Sequence, residues 1–104
     1  MDEAHITEDN GIVAVSGAIT FQTVSALYAQ LSQVIENPGV TSLTIDFSGV
    51  KRIDSAAVTL LAGVRLCAQK QGRAVTFTGL NDGINSLVSL YGVGWVVGPE
   101  PVSG

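Results

Sequence analysis

A strand followed directly by a long helix is predicted in the middle of the chain, and this pair restricts the fold of the whole protein. Residues 43–47 alternate between apolar and polar side chains, which is the two-residue period of a strand with one buried face. A short polar turn is expected after Phe47. A helix then follows from about Ser55 to Gln71, where Gly72 ends it. The buried stripe of this helix is predicted to contain Ala57, Leu60, Leu61, Val64, Cys67 and Ala68.

Two more helices are indicated by apolar residues that recur every three or four positions. The earlier one is predicted to begin after an N-cap at Thr20 and to end at residues 37–39, because proline cannot continue the hydrogen-bond ladder. The later one is predicted to begin at a cap formed by residues 81–82 and to end at Gly92. The predicted buried faces are Phe21, Val24, Leu27, Tyr28, Leu31, Val34 and Ile35 in the earlier helix, and Ile84, Leu87, Val88 and Tyr91 in the later one.

Short β-rich runs supply the remaining predicted strands. They lie at 5–7, as an edge strand, and at 11–17 and 74–80. Residues 95–97 are expected either to add a last edge strand or to pack over the core. The order β, β, α, β, α, β, α predicts an α/β fold in which a mixed, partly parallel sheet is packed by about three helices.

The composition favours a protein that binds another protein. A chain of 104 residues is long enough for one domain, expected at 1–98 with a loose tail at 99–104. Hydrophobic residues make up 46% and charged residues only 13%, which predicts apolar surface left over for a partner. The net charge of −4 argues against a nucleic-acid partner, since phosphate binding needs a basic surface.

Catalysis, cofactors and metal sites find little support in the sequence. His5 is the only histidine and Cys67 the only cysteine, so a histidine-based triad, a cysteine cluster and an internal disulfide are not expected. The glycines form no phosphate-binding motif. The acidic start lacks the pattern of a signal peptide, and polar residues interrupt the uncharged run 11–35. We therefore expect a cytoplasmic protein that is not an enzyme, binds no cofactor and does not insert into the membrane.

Charge is concentrated in one segment of the chain. Residues 51–73 hold all five basic residues and one acidic residue, which gives this segment a charge of +4 and the rest of the chain −8. Lys70 and Arg73 are interpreted as complements to the negative end of the central helix. The alternative, that the segment faces an acidic partner, stays open for Lys51, Arg52 and Arg65.

The Asp54-Ser55 pair at the start of the central helix is the candidate functional site. Either residue could be the N-cap, and capping alone is the simplest interpretation of such a pair. However, Val58, Ala62 and Leu66 form a second apolar stripe beside the buried one, so this helix is expected to be either deeply buried or covered by something else. A phosphoryl group on Ser55 would lie at the positive helix end and add about two negative charges.

These motifs resemble the STAS domain family, which includes domains of sulfate transporters and anti-sigma-factor antagonists. The resemblance spans residues 11–97, is most specific at 43–61, and implies a mixed sheet packed by helices without catalysis. In the antagonists, the Ser or Thr after the Asp accepts phosphate from a partner kinase, and that position is Ser55 here. The matching motifs are 43–50, 53–55, 68–76 and 79–82, followed by Leu87 and Leu90-Tyr91.

The second half of the chain is more similar to STAS subunits of ABC transporters for phospholipids. In those proteins the same position contacts the ATPase subunit, so the resemblance implies as partner an ATPase with its permease or, alternatively, an anti-sigma-factor serine kinase. Family members carry a glycine shortly after the Ser or Thr, whereas this chain has Ala56-Ala57. Because alanine blocks close backbone approach, constitutive docking is favoured over a phosphorylation switch. The implied contact surface is Lys51, Arg52, Asp54, Ser55, Ala56, Val58, Thr59 and Ala62.

Overall fold

The computed structural model describes residues 3–39 and 42–91, and the elements in these ranges follow the predicted order. The predicted strand at 95–97, the helix end at Gly92 and the tail at 99–104 lie outside the described residues. Within the described ranges, no helix is long and apolar enough to cross a membrane. The elements are β1 (Ala4–Asp9), β2 (Ile12–Ile19), α1 (Val24–Glu36), β3 (Ser42–Ile53), α2 (Ala56–Gln71), β4 (Ala74–Thr78) and α3 (Asp82–Leu90).

The four described strands form one mixed sheet in the order β1-β2-β3-β4. β1 is antiparallel to β2, whereas β2, β3 and β4 are parallel to one another. The prediction of a mixed, partly parallel sheet is therefore confirmed. Because parallel neighbours need a crossover, α1 and α2 both run back against the strands. Both helices consequently begin at the carboxyl edge of the sheet, where β2 and β3 end.

One apolar core joins the sheet to all three described helices. The predicted stripe of α2 is buried throughout, and Cys67 belongs to it with 9% exposure. The rings of Phe47 and Phe77 meet edge to face, with centroids 5.6 Å apart. The other large contributors, from the strands and then the helices, are Val13, Val15, Ile45, Val75, Leu27, Leu31, Ile35, Leu60, Leu61, Val64, Ile84 and Val88.

The predicted N-cap at Thr20 is wrong, because the N-cap is Thr23, three residues later, and α1 begins at Val24. Thr20 is buried in a turn in which the Thr23 hydroxyl accepts a hydrogen bond from the Thr20 N–H at 3.0 Å. The same hydroxyl donates to the carbonyl of Ala18 at 2.8 Å. Two threonines thus hold a tight turn between strand and helix, and Phe21 falls before the helix begins.

The predicted polar turn after Phe47 is also wrong, because β3 continues to Ile53. Its second half pairs with β2, so that Ile53 lies opposite Ile19. The register between the two strands shifts twice, which interrupts the alternation of buried and exposed residues. At this irregularity a side chain on Gly49 would come within 2.9 Å of the Cβ of Ser16, so the close approach of the strands requires glycine there.

Arg65 lies in the interior and is not available to an acidic partner. Its side chain is 1% exposed, and Nη1 donates a hydrogen bond to the carbonyl of Val75 at 2.6 Å. The guanidinium carbon lies 4.7 Å from the centre of the Phe77 ring, a cation–π contact.

The predicted burial of Tyr91 in the face of α3 is wrong, because that side chain is 53% exposed at the end of the helix.

Candidate docking surface at the start of α2

The Asp54 side chain connects the starts of the two central helices. Its Oδ1 accepts a hydrogen bond from the backbone N–H of Ala56 at 2.8 Å, and its Oδ2 accepts one from the N–H of Phe21 at 3.2 Å. The N–H of Asp54 donates to the carbonyl of Ile19 at 3.1 Å, which ties the end of β2 to the same point. Asp54 therefore supplies the capping carboxylate of α2, while Ser55 occupies the N-cap position itself, which is the second of the two alternatives that the sequence left open.

Ser55 occupies the N-cap position of α2, directly before the first helical residue Ala56, but its side chain makes no capping hydrogen bond. Its backbone is already helical, with φ −62° and ψ −16°. Its carbonyl accepts a hydrogen bond from the N–H of Val58 at 3.2 Å. Ser55 is half-buried at the positive end of α2. A hydroxyl in this position can donate or accept a hydrogen bond across an interface.

The residues of the predicted contact surface differ in their exposure. Ala56 is 1% exposed, as is Ala57, so the first turn of α2 packs its alanines against the interior. The predicted contact through Ala56 is therefore wrong. The exposed members are Lys51, Arg52 and Thr59, and the half-buried members are Asp54, Ser55, Val58 and Ala62.

The second apolar stripe of α2 reaches the surface beside the buried one. Val58 and Ala62 are half-buried, and Leu66 is 54% exposed. The described part of the chain covers this side of the helix only in part. Apolar surface of this kind is typical of a site where another protein binds.

An apolar groove between α1 and α2 adjoins the contact surface. It has a volume of about 280 Å³, and Thr59 belongs both to the groove and to the contact surface. We refer to it as the α1–α2 groove. Its lining residues are Val24, Ser25, Tyr28, Thr59, Leu60 and Gly63.

Two exposed aromatic side chains were not expected from the sequence: Tyr28, which lines the groove, and Phe21, which lies in the turn before α1. Phe21 is 73% exposed and Tyr28 is 38% exposed, although helical periodicity predicts both in the core. Phe21 is exposed and not buried because α1 begins at Val24, which places Phe21 in the turn before the helix. The later helix start could have been predicted from Thr23, because threonine favours N-cap positions and Thr23 lies three positions after Thr20.

Tyr28 of α1 and Cys67 of α2 each influence the pKa of the other. Burial raises the pKa of the Cys67 thiol above its ordinary value of 9.0, and the charge of Glu36 adds to the effect. Partial burial, with Cys67 and then Glu36 nearby, likewise raises the pKa of Tyr28 above 10.0. The thiol therefore stays protonated at neutral pH, which agrees with the prediction that Cys67 is a core residue and not a nucleophile.

A mixed sheet in which α1 and α2 are crossovers between parallel strands, with an Asp-Ser pair before α2 at its carboxyl edge, is the arrangement that the STAS resemblance predicts. The chain belongs to this family, since the family model described as "Mlab, STAS domain" matches residues 3–98. Among curated relatives, the chain is 33% identical to the intermembrane phospholipid transport system binding protein MlaB of Escherichia coli (strain K12). That similarity extends over 79 residues, 76% of this chain and 77% of the relative.

Solved structures of anti-sigma-factor antagonists have the same fold. The antagonist from Mycobacterium paratuberculosis has a TM-score of 0.71 at 22% identity, over 99% of this chain and 88% of that one. SpoIIAA of Bacillus, in its unphosphorylated form, has a TM-score of 0.70 at 16% identity, over 93% of this chain and 87% of that one. At these identities the comparison establishes the fold alone.

Proposed function

We propose that this protein is a non-enzymatic STAS subunit that binds and regulates the ATPase of an ABC transporter for phospholipids. The transporter would serve the maintenance of outer-membrane lipid asymmetry. The observation that carries the proposal is the 33% identity to MlaB, a phospholipid transport system binding protein, over three quarters of both chains. In this proposal the protein is cytoplasmic and reaches the inner membrane only through the ATPase and its permease.

The docking surface is proposed to be the contact surface without Ala56. Its centre is Ser55, whose hydroxyl is not used for capping, and Thr59 one turn later is exposed. Val58 and Ala62, which are half-buried on the same helix, supply apolar area beside these polar groups. The remaining members, at the edge of the surface, are Lys51, Arg52 and Asp54.

The basic end of this surface supports a partner with acidic groups. Lys51 and Arg52 are exposed on the last residues of β3. The starts of α1 and α2 add their positive dipole ends at the same edge of the sheet. Opposite charges across the rim of an interface favour correct orientation and fast association more than affinity.

A pull-down of the tagged full chain from native cells in mild detergent tests the proposal. Mass spectrometry should identify an ATPase and its permease, and Ser55→Glu should reduce their recovery because it places a charge at the centre of the contact. Gln33→Glu, an equal change at an exposed position of α1, should leave recovery unchanged. Recovery of neither subunit by the wild-type protein would refute the proposal.

The second candidate function is that of an anti-sigma-factor antagonist regulated by phosphorylation of Ser55. The Ser55 hydroxyl, which makes no capping hydrogen bond, favours this function because a phosphoryl group there would lie at the positive end of the α2 dipole. This function predicts a modified species about 80 Da heavier that a partner serine kinase produces and that Ser55→Ala abolishes. Intact-mass spectra without that species across growth conditions would exclude it in favour of constitutive docking.

A further inference from the structure

The α1–α2 groove is a second exposed feature beside the Ser55 contact. The groove lies between two helices that run in the same direction, and Thr59 is the residue it shares with the contact surface. Its wall on the α1 side includes Tyr28, whose ring lies against Gly63 of α2. A Cβ atom on Gly63 would come within 3.0 Å of that ring, so the glycine lets the aromatic side chain lie close to the helix. The groove therefore has an aromatic wall on one side and open helix surface on the other.

Charged side chains line neither wall of this groove. The sequence holds no charged residue from 11 to 35, which includes the whole of α1 except its last residue, Glu36. Along α2, the only charged residue before Lys70 is Arg65, which is buried. Apolar exposure continues past both ends of the groove, at Phe21 before α1 and at Leu66 on α2. The result is an apolar strip with Lys51 and Arg52 beyond the end where both helices begin, and with Glu36 and Lys70 at the other end.

We propose that the groove receives an amphipathic helix of the transporter ATPase, an inference that rests on the proposed function. Apolar residues of that helix at positions i, i+3 or i+4, and i+7 would lie in the groove, since ridges of one helix pack into the grooves of others. α1 has 13 residues and is about 20 Å long, so a partner helix of three to four turns would span the strip. An acidic residue at one end of the partner helix would face the basic Lys51 and Arg52.

Filling the groove with a bulky side chain tests this assignment without adding charge. Ser25→Trp puts an indole at an exposed groove-lining position, and Gln33→Trp puts the same group at an exposed position of α1 outside the groove. Calorimetric titration with the purified ATPase subunit should show affinity reduced about tenfold or more for Ser25→Trp, and changed less than about twofold for Gln33→Trp. Circular dichroism of both variants checks that the fold is retained.

A photo-crosslinking amino acid at position 25 identifies the occupant directly. The expected product joins this chain to an ATPase peptide that has apolar residues at helical spacing and an acidic residue at one end. A cross-link to a second copy of this chain, or no cross-link within the ATPase complex, would overturn the inference. Wild-type affinity in Ser25→Trp would also overturn it, while loss of binding in Ser55→Glu would leave the proposed function standing. Failure of the wild-type protein to bind the ATPase would overturn both.

Discussion

The carboxylate of Asp54 accepts a hydrogen bond from the backbone N–H of Phe21, although the two residues are 33 positions apart. The same carboxylate caps α2 through Ala56. One side chain thus fixes where α1 and α2 begin relative to each other. Both Ser55 and the α1–α2 groove depend on that arrangement, so Asp54 positions the proposed docking surface through hydrogen bonds that already occupy its two carboxylate oxygens.

Removal of this carboxylate should destabilise the protein. Asp54→Ala leaves two amides without their acceptor, and we expect the free energy of unfolding to fall by about 1–2 kcal/mol. Asp54→Asn retains an acceptor oxygen and should lose less. Urea denaturation measures both changes, and Glu8→Ala, at an exposed position of β1, should stay within about 0.5 kcal/mol of the wild type. A loss in Asp54→Ala no larger than in that control would contradict the proposed role of Asp54.

A charge on the second stripe of α2 should block binding while the fold survives. Val58→Asp places a carboxylate on a half-buried apolar position, and we expect ATPase affinity to fall about tenfold or more because the charge is desolvated in the contact. Gln33→Asp provides the matched charge change on α1. Binding is measured by calorimetry and folding by thermal denaturation. If Val58→Asp unfolds the domain, Val58 is a core residue and the docking interpretation fails for that position.

Replacement of Arg65 should affect stability and not recognition. Arg65→Ala removes the hydrogen bond to the Val75 carbonyl and the packing on Phe77, so we expect a loss of about 2–4 kcal/mol in the free energy of unfolding. At temperatures where the variant remains folded, its ATPase affinity should equal that of the wild type. Lys70→Ala, at an exposed position of the same helix, serves as the control for charge. A normally stable Arg65→Ala with weak binding would instead make Arg65 a docking residue.

Stability should decline in alkaline solution because of Cys67 and Tyr28. Folding raises the pKa of both groups, so the unfolded chain loses these protons at lower pH than the folded one does. Their stabilising contribution is complete below pH 9.0, the ordinary pKa of the thiol, and is lost as the pH rises through the folded-state values. Denaturation midpoints measured from pH 8 upwards should fall less steeply in a Tyr28→Phe, Cys67→Ala variant. An unchanged slope would show that other groups dominate the alkaline response.

The order of elements and the core stripe of α2 could be predicted from the sequence because both depend on local periodicity. Ala57, Leu60 and Val64 recur at helical spacing, and no distant residue changes which of their faces is buried. The same reasoning found the cap of α3, where the Asn81 side chain accepts a hydrogen bond from the N–H of Ile84 at 2.9 Å. Short-range chemistry therefore determines these features.

The features that could not be predicted depend on contacts between distant parts of the chain. The start of α1 is set partly by Asp54, which directly follows the end of β3 and accepts a hydrogen bond from the N–H of Phe21. Arg65 is buried because Val75 and Phe77 of β4 provide a carbonyl and a ring for its side chain. Composition and periodicity describe one segment at a time, so the groove formed by α1 and α2 together could not be found from either helix alone.

Because α1 and α2 run in the same direction, their helix dipoles give this acidic protein an electric dipole moment. The macrodipoles of the two helices point the same way and add, each equivalent to about half a positive charge at its first turn. Lys51 and Arg52 stand at the same edge of the sheet, while the net charge of the whole chain is −4. The electric field of the proposed acidic partner would therefore orient the molecule before contact, with the Ser55 end leading, and added salt should slow that encounter by screening the field.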